Sequence, residues 1–236
     1  MKNNSLLSHR SQEPENNVLY VVGTPIGNLN DVSKRAMNIL QNVSFIACED
    51  TRQTKKILSK FKISNTLISF NQHNSDNKIS KIIRDLSEGK SIAVVSDAGL
   101  PSICDPGENL IRSVKDAGFD VICIPGACAA LTALVSSGLP SSSFVFEGFL
   151  PRKKSDREKI LIEISKSEKT TILFESPQRL KKLLQELSKF CGGQREIEVA
   201  RELTKKFEEH IGNTIDKVVD FFEEREVIGE ITIVIK

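Results

Sequence analysis

The stretch VLYVVGTPIGN, residues 18–28, decides the fold class. Its first five residues are apolar and three of them are valine, which predicts a short strand buried on both faces. Residues 31–41 follow with apolar side chains at helical spacing, and residues 43–48 again read as a strand. Because parallel strands need a crossover connection, this alternation predicts β-α-β units and a mainly parallel sheet.

The pattern changes at the sequence GLPSSS, residues 138–143, where we place a domain boundary. Beyond it, residues 196–201 and 207–211 read as consecutive strands with no helix between them, which indicates a mixed sheet. The sequence thus predicts two tandem α/β domains, residues 18–140 with a mainly parallel sheet and residues 141–236 with a mixed sheet. Residues 1–17 are polar and rich in Asn and Ser, and they predict a disordered leader rather than a signal peptide.

The composition excludes several classes of protein. The 236 residues carry 33 Lys and Arg against 31 Asp and Glu, so a polybasic or histone-like protein is excluded. Five scattered cysteines fit neither a disulfide framework nor a zinc site, which favours reduced thiols in the cytoplasm and no metal. No apolar run approaches the roughly 18 residues of a membrane span.

Polar and glycine-rich loops follow four of the predicted strands in the first domain. They cover residues 23–28, 49–52, 96–101 with 105–107, and 125–127. Each loop alone could be an ordinary turn or a helix cap. Ligands of open α/β sheets bind at the carboxyl ends of the strands, however, so four such loops at one edge favour a binding site.

Basic residues are concentrated in two segments. Residues 51–75 contain five basic residues and no acidic one, and residues 151–189 contain 11 basic and 6 acidic residues. A charge run usually marks a solvated surface, but such surfaces normally mix both signs. A helical face of one sign beside the predicted site fits a polyanion such as RNA. This face consists of Arg52, Lys55, Lys56 and Lys60.

Several motifs occur in an order that resembles the tetrapyrrole methylase superfamily and, within it, the family of 16S rRNA cytidine 2′-O-methyltransferases. They are VGTPIGNL at 22–29, EDTR at 49–52, SDAGLP at 96–101 with DPG at 105–107, FESP at 174–177 and RELTK at 201–205. The resemblance extends over residues 18–236. It implies S-adenosylmethionine (SAM) bound in a cleft between two α/β domains, a homodimer, and methylation of a cytidine in the decoding region on the assembled 30S subunit.

The resemblance also implies roles for individual residues by their position in the motifs. The implied SAM contacts are Pro25, Asp97, Gly99, Leu100, Cys128, Ala129, Glu175, Leu203, Gly229 and Glu230. The residues expected to face the RNA are Arg52, Lys55, Lys56, His73, Asn74, Arg152, Lys153, Arg201 and Lys205.

The residue that accepts the proton from the ribose hydroxyl stays open among Glu49, Asp50, Glu175 and His73. The family often carries two further glutamates after the third strand, but residues 70–75 read FNQHNS here, so those carboxylates are excluded as bases. A ribose hydroxyl is a weak acid and gains from a base or a cationic neighbour, although positioning alone could suffice.

Two other functions compete with RNA methylation. One is methylation of a small tetrapyrrole, against which the basic segment at 51–75 argues. The other is a ribosome assembly factor with an inactive cofactor site, against which the complete SDAGLP loop argues.

Overall fold

The computed structural model describes residues 12–70 and 75–236. Of the predicted leader, residues 1–11 lie outside this part of the chain. Residues 12–17 are held by contacts, unlike the disordered segment that we expected. The Glu13 carboxylate pairs with Arg35 at 2.6 Å, and the Asn17 side chain donates to the Leu86 carbonyl at 2.5 Å.

The first of two compact units contains a parallel sheet with the strand order β3-β2-β4-β1-β5. Its elements are β1 (Val18–Val22), α1 (Lys34–Asn42), β2 (Phe45–Cys48), α2 (Thr51–Lys60), β3 (Leu67–Ser69), α3 (Ser75–Ser87), β4 (Ile92–Val95), α4 (Glu108–Asp116) and β5 (Asp120–Ile124). All five residues of β1 are buried, and they alternate between two cores. Leu19 packs in the core with α3 and α4, whereas Tyr20 packs in the core with α1 and α2.

The second unit contains a mixed sheet with the strand order β6-β7-β10-β8-β9. Its elements are α5 (Ala129–Ser137), β6 (Phe144–Phe149), α6 (Lys154–Lys166), β7 (Thr170–Glu175), α7 (Pro177–Cys191), β8 (Glu196–Arg201), β9 (Glu209–Thr214), α8 (Ile215–Glu223) and β10 (Ile231–Ile235). β6 and β7 are parallel, and the other pairs are antiparallel. The predicted fold class, with one parallel and one mixed sheet, is confirmed.

The division between the units differs from the boundary that we placed after residue 140. Contacts assign residues up to Pro25 and Leu29–Ala127 to the first unit, and Ile26–Asn28 with Cys128–Lys236 to the second. The difference is α5, which packs against β7, β8 and β10 through its buried apolar side chains. Gly138 is its left-handed C-terminal cap, so the glycine marks the end of a helix of the second unit.

Within the described residues, no helix has the length and apolarity required to cross a membrane.

Candidate functional site

Two glycines bring the loops after β1 and β5 into direct backbone contact. β1 and β5 are neighbours in the sheet, and the Gly23 amide donates to the Ile124 carbonyl at 3.2 Å. A Cβ atom on Gly126 would lie 2.7 Å from the Cα of Gly23, and a Cβ on Gly23 would lie 2.7 Å from the Cα of Gly126. Only glycine fits at both positions, because real Cβ atoms do not approach backbone so closely.

A second backbone link joins the loop after β1 to the loop after β4. The Thr24 amide donates to the Gly99 carbonyl at 2.8 Å, and the Gly99 amide returns a bond of 3.1 Å to Thr24. Gly99 has a φ of +79°, a conformation that favours glycine. The sheet therefore brings together four of the predicted cofactor residues: Pro25, Asp97, Gly99 and Leu100.

Four carboxylates gather at this edge of the first unit, which we call the acidic rim: Glu49, Asp50, Asp97 and Asp105. Asp97 accepts a hydrogen bond of 3.1 Å from the Asp50 amide. Burial, followed by the negative charge of Asp97, raises the pKa of the Glu49 carboxyl. Burial also raises the pKa of Asp105. Within the described part of the chain, no group of His, Cys, Asp and Glu is arranged to hold a metal ion.

Asp50 has a different environment from Glu49, although the two are adjacent in sequence. Its carboxylate caps α2 by accepting a hydrogen bond of 2.8 Å from the Arg52 amide. The Arg52 guanidinium also binds it at 2.7 Å, and these hydrogen bonds lower the pKa of Asp50 to about 2. A carboxylate of such low pKa is a weak base, so Glu49 is better suited than Asp50 to accept a proton.

The basic face predicted on α2 is exposed. Thr54 and Leu58 are the buried residues of this helix, and the side chains of Arg52, Lys55, Lys56 and Lys60 lie on its solvent side. The Arg52 side chain is 86% exposed even though it pairs with Asp50. His73 and Asn74, the other residues of the first domain expected to face RNA, lie outside the described residues.

In the second unit, Glu175 is held in a buried network of charges. Its side chain is 0% exposed and pairs with Arg179 at 2.5 Å, and Arg157 lies 3.6 Å away. Arg157 also binds Glu186 at 2.6 Å. Burial and the pairing with Arg179 argue against Glu175 as the base, which leaves Glu49 as the better candidate. Glu175 instead positions the start of α7, because its carboxylate accepts a hydrogen bond of 2.8 Å from the Ser176 amide.

Arg157 is a residue that the sequence did not single out. It belongs to the basic segment 151–189, whose charges we assigned to the surface, yet its side chain is only 7% exposed. No local signal distinguishes it from the exposed residues Arg152 and Lys153, which do lie at the surface as expected.

The loop after β8 gathers another group of predicted residues within the second unit. Lys205 pairs with Glu202 at 2.8 Å and with Glu230 at 2.9 Å, and the Glu230 amide donates to the Glu202 carboxylate at 2.9 Å. Gly229 has a φ of +91°, and a Cβ there would lie 2.5 Å from the Glu202 side chain. Leu203 is buried in the same loop.

The segment Ile26–Asn28 packs on this loop. The Asn28 amide donates to the Thr204 hydroxyl at 3.0 Å, and a Cβ on Gly27 would meet the Lys205 side chain. A side chain at position 27 would therefore force the Lys205 and Thr204 side chains to move. The conformation of the loop is unusual, since Glu202 and Thr204 have φ of +53° and +65°.

The remaining predicted residues have simpler environments. Cys128 is the N-cap of α5 and makes no side-chain capping bond, and Ala129 is the first residue of that helix. Arg201 binds Glu209 at 3.1 Å and donates to the Ile228 carbonyl at 3.0 Å. These internal partners occupy its guanidinium, which leaves Arg201 poorly placed for the phosphate contact that we expected.

Residues 18–219 match the family model described as "Tetrapyrrole (Corrin/Porphyrin) Methylases". The chain is also similar to curated proteins named "Ribosomal RNA small subunit methyltransferase I". It is 45% identical to the protein of Halalkalibacterium halodurans over 95% of this chain and 78% of that protein. The protein of Bacillus subtilis is 46% identical over 93% of this chain and 75% of that protein. The protein of Thermotoga maritima is 43% identical over 92% of this chain and 97% of that protein. The resemblance found in the sequence motifs is confirmed.

Solved structures of similar fold are much more distant in sequence. A cobalt precorrin-4 methyltransferase has a TM-score of 0.69 at 17% identity, covering 93% of this chain and 94% of that one. Diphthine synthase has a TM-score of 0.66 at 11% identity, covering 92% and 89%. These structures support the fold alone.

Proposed function

The chain belongs to the tetrapyrrole (corrin/porphyrin) methylase family and is a methyltransferase, and we propose that it uses SAM to methylate the ribose 2′-oxygen of a cytidine in the decoding region of 16S rRNA. We further propose that it acts on the assembled 30S subunit, as a homodimer in the cytoplasm. The observation that carries this proposal is the identity of 43–46% to relatives named for methylation of small-subunit rRNA.

The acidic rim fits the charge of SAM. The cofactor carries a sulfonium cation. In the rim, burial and then the negative charge of Asp97 raise the pKa of both Glu49 and Asp105. A cation placed there reduces this repulsion. Gly23 and Gly126 carry no side chains, so at these two positions a ligand can approach the main chain closely.

Pro25, Asp97, Gly99 and Leu100 would hold the cofactor from the first unit. The Thr24–Gly99 bridge fixes these loops before binding, which lowers the entropic cost of ordering them. We retain Cys128, Ala129, Leu203, Gly229 and Glu230 as proposed contacts from the second unit. When bound, SAM supplies a methyl group activated by its sulfonium, so the transfer itself needs no metal.

Glu49 is our preferred proton acceptor for the ribose hydroxyl. Its raised pKa makes it a stronger base than a solvated carboxylate, whereas hydrogen bonds from Arg52 keep Asp50 a weak one. The role of Asp50 is then to cap α2 and orient Arg52. Glu175, which we also proposed as a SAM contact, positions Ser176 and the start of α7.

The basic face of α2 is proposed to bind RNA phosphates next to the rim. Arg52 connects the two regions, because it pairs with Asp50 while its side chain remains exposed. Lys55 and Lys56 extend the positive charge along the helix. Arg152 and Lys153, exposed residues of the second unit, are also proposed to contact RNA. Exposed cations of one sign attract the phosphate backbone without regard to base sequence.

The proposal is tested by incubating the purified protein with labelled SAM and one of three substrates: 30S subunits that lack the modification, naked 16S rRNA, or a porphyrin precursor. We expect label in the 30S subunits. Transfer only to the porphyrin precursor would establish the tetrapyrrole alternative. Tight binding to 30S subunits without any transfer would instead establish an assembly factor with an inactive site.

A further inference from the structure

Phe207 is an exposed aromatic residue that has no role in the site described so far. We expected it to begin a strand, but β9 starts at Glu209, so Phe207 lies in the turn between β8 and β9. Its residue surface is 65% exposed. The Lys206 ammonium lies 5.4 Å from the centre of its ring, within the range of a cation–π contact.

The turn that carries Phe207 is held rigidly. The Lys205 amide donates to the Glu202 carbonyl at 3.0 Å, and the Glu208 amide donates to the Lys205 carbonyl at 3.2 Å. The Glu208 carboxylate accepts a bond of 2.6 Å from the Thr204 amide and contacts His210 at 2.8 Å. Phe207 is thus exposed on a turn that is already ordered. A ligand that contacts the ring does not have to order this turn, so binding costs less conformational entropy.

The surroundings of Phe207 fit a nucleic-acid base better than a protein partner. Within residues 202–208, all of which the structure describes, the other large apolar residue is Leu203, and it is buried. The sequence neighbours of Phe207 are Lys205, Lys206, Glu208 and Glu209. Within this turn Phe207 is the one exposed ring among charged side chains, and a single ring is smaller than the several hundred Å² that a protein interface needs on each side.

An aromatic ring with a lysine beside it matches the chemistry of single-stranded nucleic acid. The ring stacks on a base, and the ammonium contacts the neighbouring phosphate. We propose that Phe207 stacks on an unpaired base of the rRNA substrate while Lys206 contacts the adjacent phosphate. This inference rests on the proposed function, since it assigns Phe207 to positioning the RNA of that reaction.

The first test compares Phe207→Ala, Phe207→Leu and Phe207→Tyr. Their affinity for 30S subunits is measured by fluorescence anisotropy at fixed salt, with SAM affinity and thermal stability measured in parallel. Stacking on one base corresponds to a loss of about 5-fold to 150-fold on truncation to alanine. Phe207→Leu should lose as much, because leucine is apolar but cannot stack, whereas Phe207→Tyr should keep the wild-type affinity.

The matched control is Phe144→Ala, which removes a ring that is 40% exposed on β6 of the same unit. It should leave the affinity for 30S subunits unchanged, and all four variants should bind SAM as the wild type does. Wild-type affinity in Phe207→Ala, or retention of that affinity in Phe207→Leu, would overturn the stacking role. If the wild-type protein neither binds nor methylates 30S subunits, the proposed function fails and this inference fails with it.

The second test identifies the occupant directly. The variant Phe207→p-benzoylphenylalanine is irradiated while bound to 30S subunits, and the cross-linked species are separated into RNA and protein. A cross-link to 16S rRNA is the expected result. A cross-link to a ribosomal protein, or to a second copy of this chain, would show that Phe207 contacts protein and would overturn the proposal.

Discussion

The substitution Gly126→Ala tests the backbone contact between the loops after β1 and β5, which border the proposed cofactor site. Its methyl group would lie 2.7 Å from the Cα of Gly23 and 2.9 Å from the carbonyl oxygen of the same residue. Ordinary contacts of this kind are about 3.5–4.0 Å, so the two loops must separate by about 1 Å. Such overpacking costs about 1–3 kcal/mol of unfolding free energy, which for a chain of this length lowers Tm by about 2–12 °C.

The same displacement moves the loops that carry Pro25 and Asp97 relative to the one that follows Gly126. A misplacement of about 1 Å near a reacting centre lowers the rate by up to about 100-fold. We therefore expect Gly126→Ala to weaken SAM binding in calorimetry and to reduce kcat/KM in the methyl-transfer assay. Circular dichroism at the assay temperature establishes that the variant is folded.

Gly89→Ala is the matched control, because it replaces a glycine in the turn before β4 that has nothing within 4 Å of the added methyl group. Its φ of +88° alone makes alanine unfavourable by about 1–2 kcal/mol. The two variants should lose similar stability, but only Gly126→Ala should lose SAM affinity. Wild-type SAM affinity in Gly126→Ala, or an equal loss in both variants, would show that the Gly23–Gly126 contact does not position the cofactor site.

Three further predictions address other parts of the chain. Asp97→Ala should weaken SAM binding in calorimetry and leave RNA affinity intact, whereas Arg52→Ala should do the reverse; equal effects of both variants would contradict the assignment. Arg157→Met should lower the free energy of unfolding in urea by about 1–3 kcal/mol, because it removes the 2.6 Å partner of Glu186 and leaves the buried Glu175 with Arg179 alone. A loss under about 1 kcal/mol would count against this. The hydrogen bond to Glu208 raises the pKa of His210, so the charged imidazole stabilises the fold at low pH. That stability should disappear as the pH rises above about 6.5 through the raised pKa, and His210→Gln should remove this pH dependence of unfolding.

Local patterns were sufficient to predict the two sheets. The five buried residues of β1 belong to both cores of a parallel sheet, which is why the run at 18–22 is apolar without alternation. β8 and β9 follow each other in sequence without a helix between them, and they form the antiparallel pair that such a short connection requires. The boundary between the units could not be predicted in the same way, because it depends on whether α5 packs against the first or the second sheet. The small apolar residues of α5 are compatible with either sheet.

The candidate site was predicted in part for a similar reason. The loops of the acidic rim follow neighbouring parallel strands, so their convergence follows from topology. The burial of Glu175 depends on Arg157 and Arg179, which reach it from α6 and α7. The environment of Arg201 depends on Glu209 of β9. These ion-pair partners lie on different helices and strands, so the sequence pattern of one element does not identify them.

The chemical nature of the methylated nucleotide shows whether the protein methylates the ribose 2′-oxygen of a cytidine. After reaction with labelled SAM, the 16S rRNA is digested to nucleosides and, in a parallel sample, hydrolysed in alkali. A methyl group on the ribose 2′-oxygen removes the nucleophile for alkaline cleavage, so we predict labelled 2′-O-methylcytidine and a labelled dinucleotide that resists alkali. Label on a base, with complete alkaline hydrolysis to mononucleotides, would show that the protein is not a ribose 2′-O-methyltransferase.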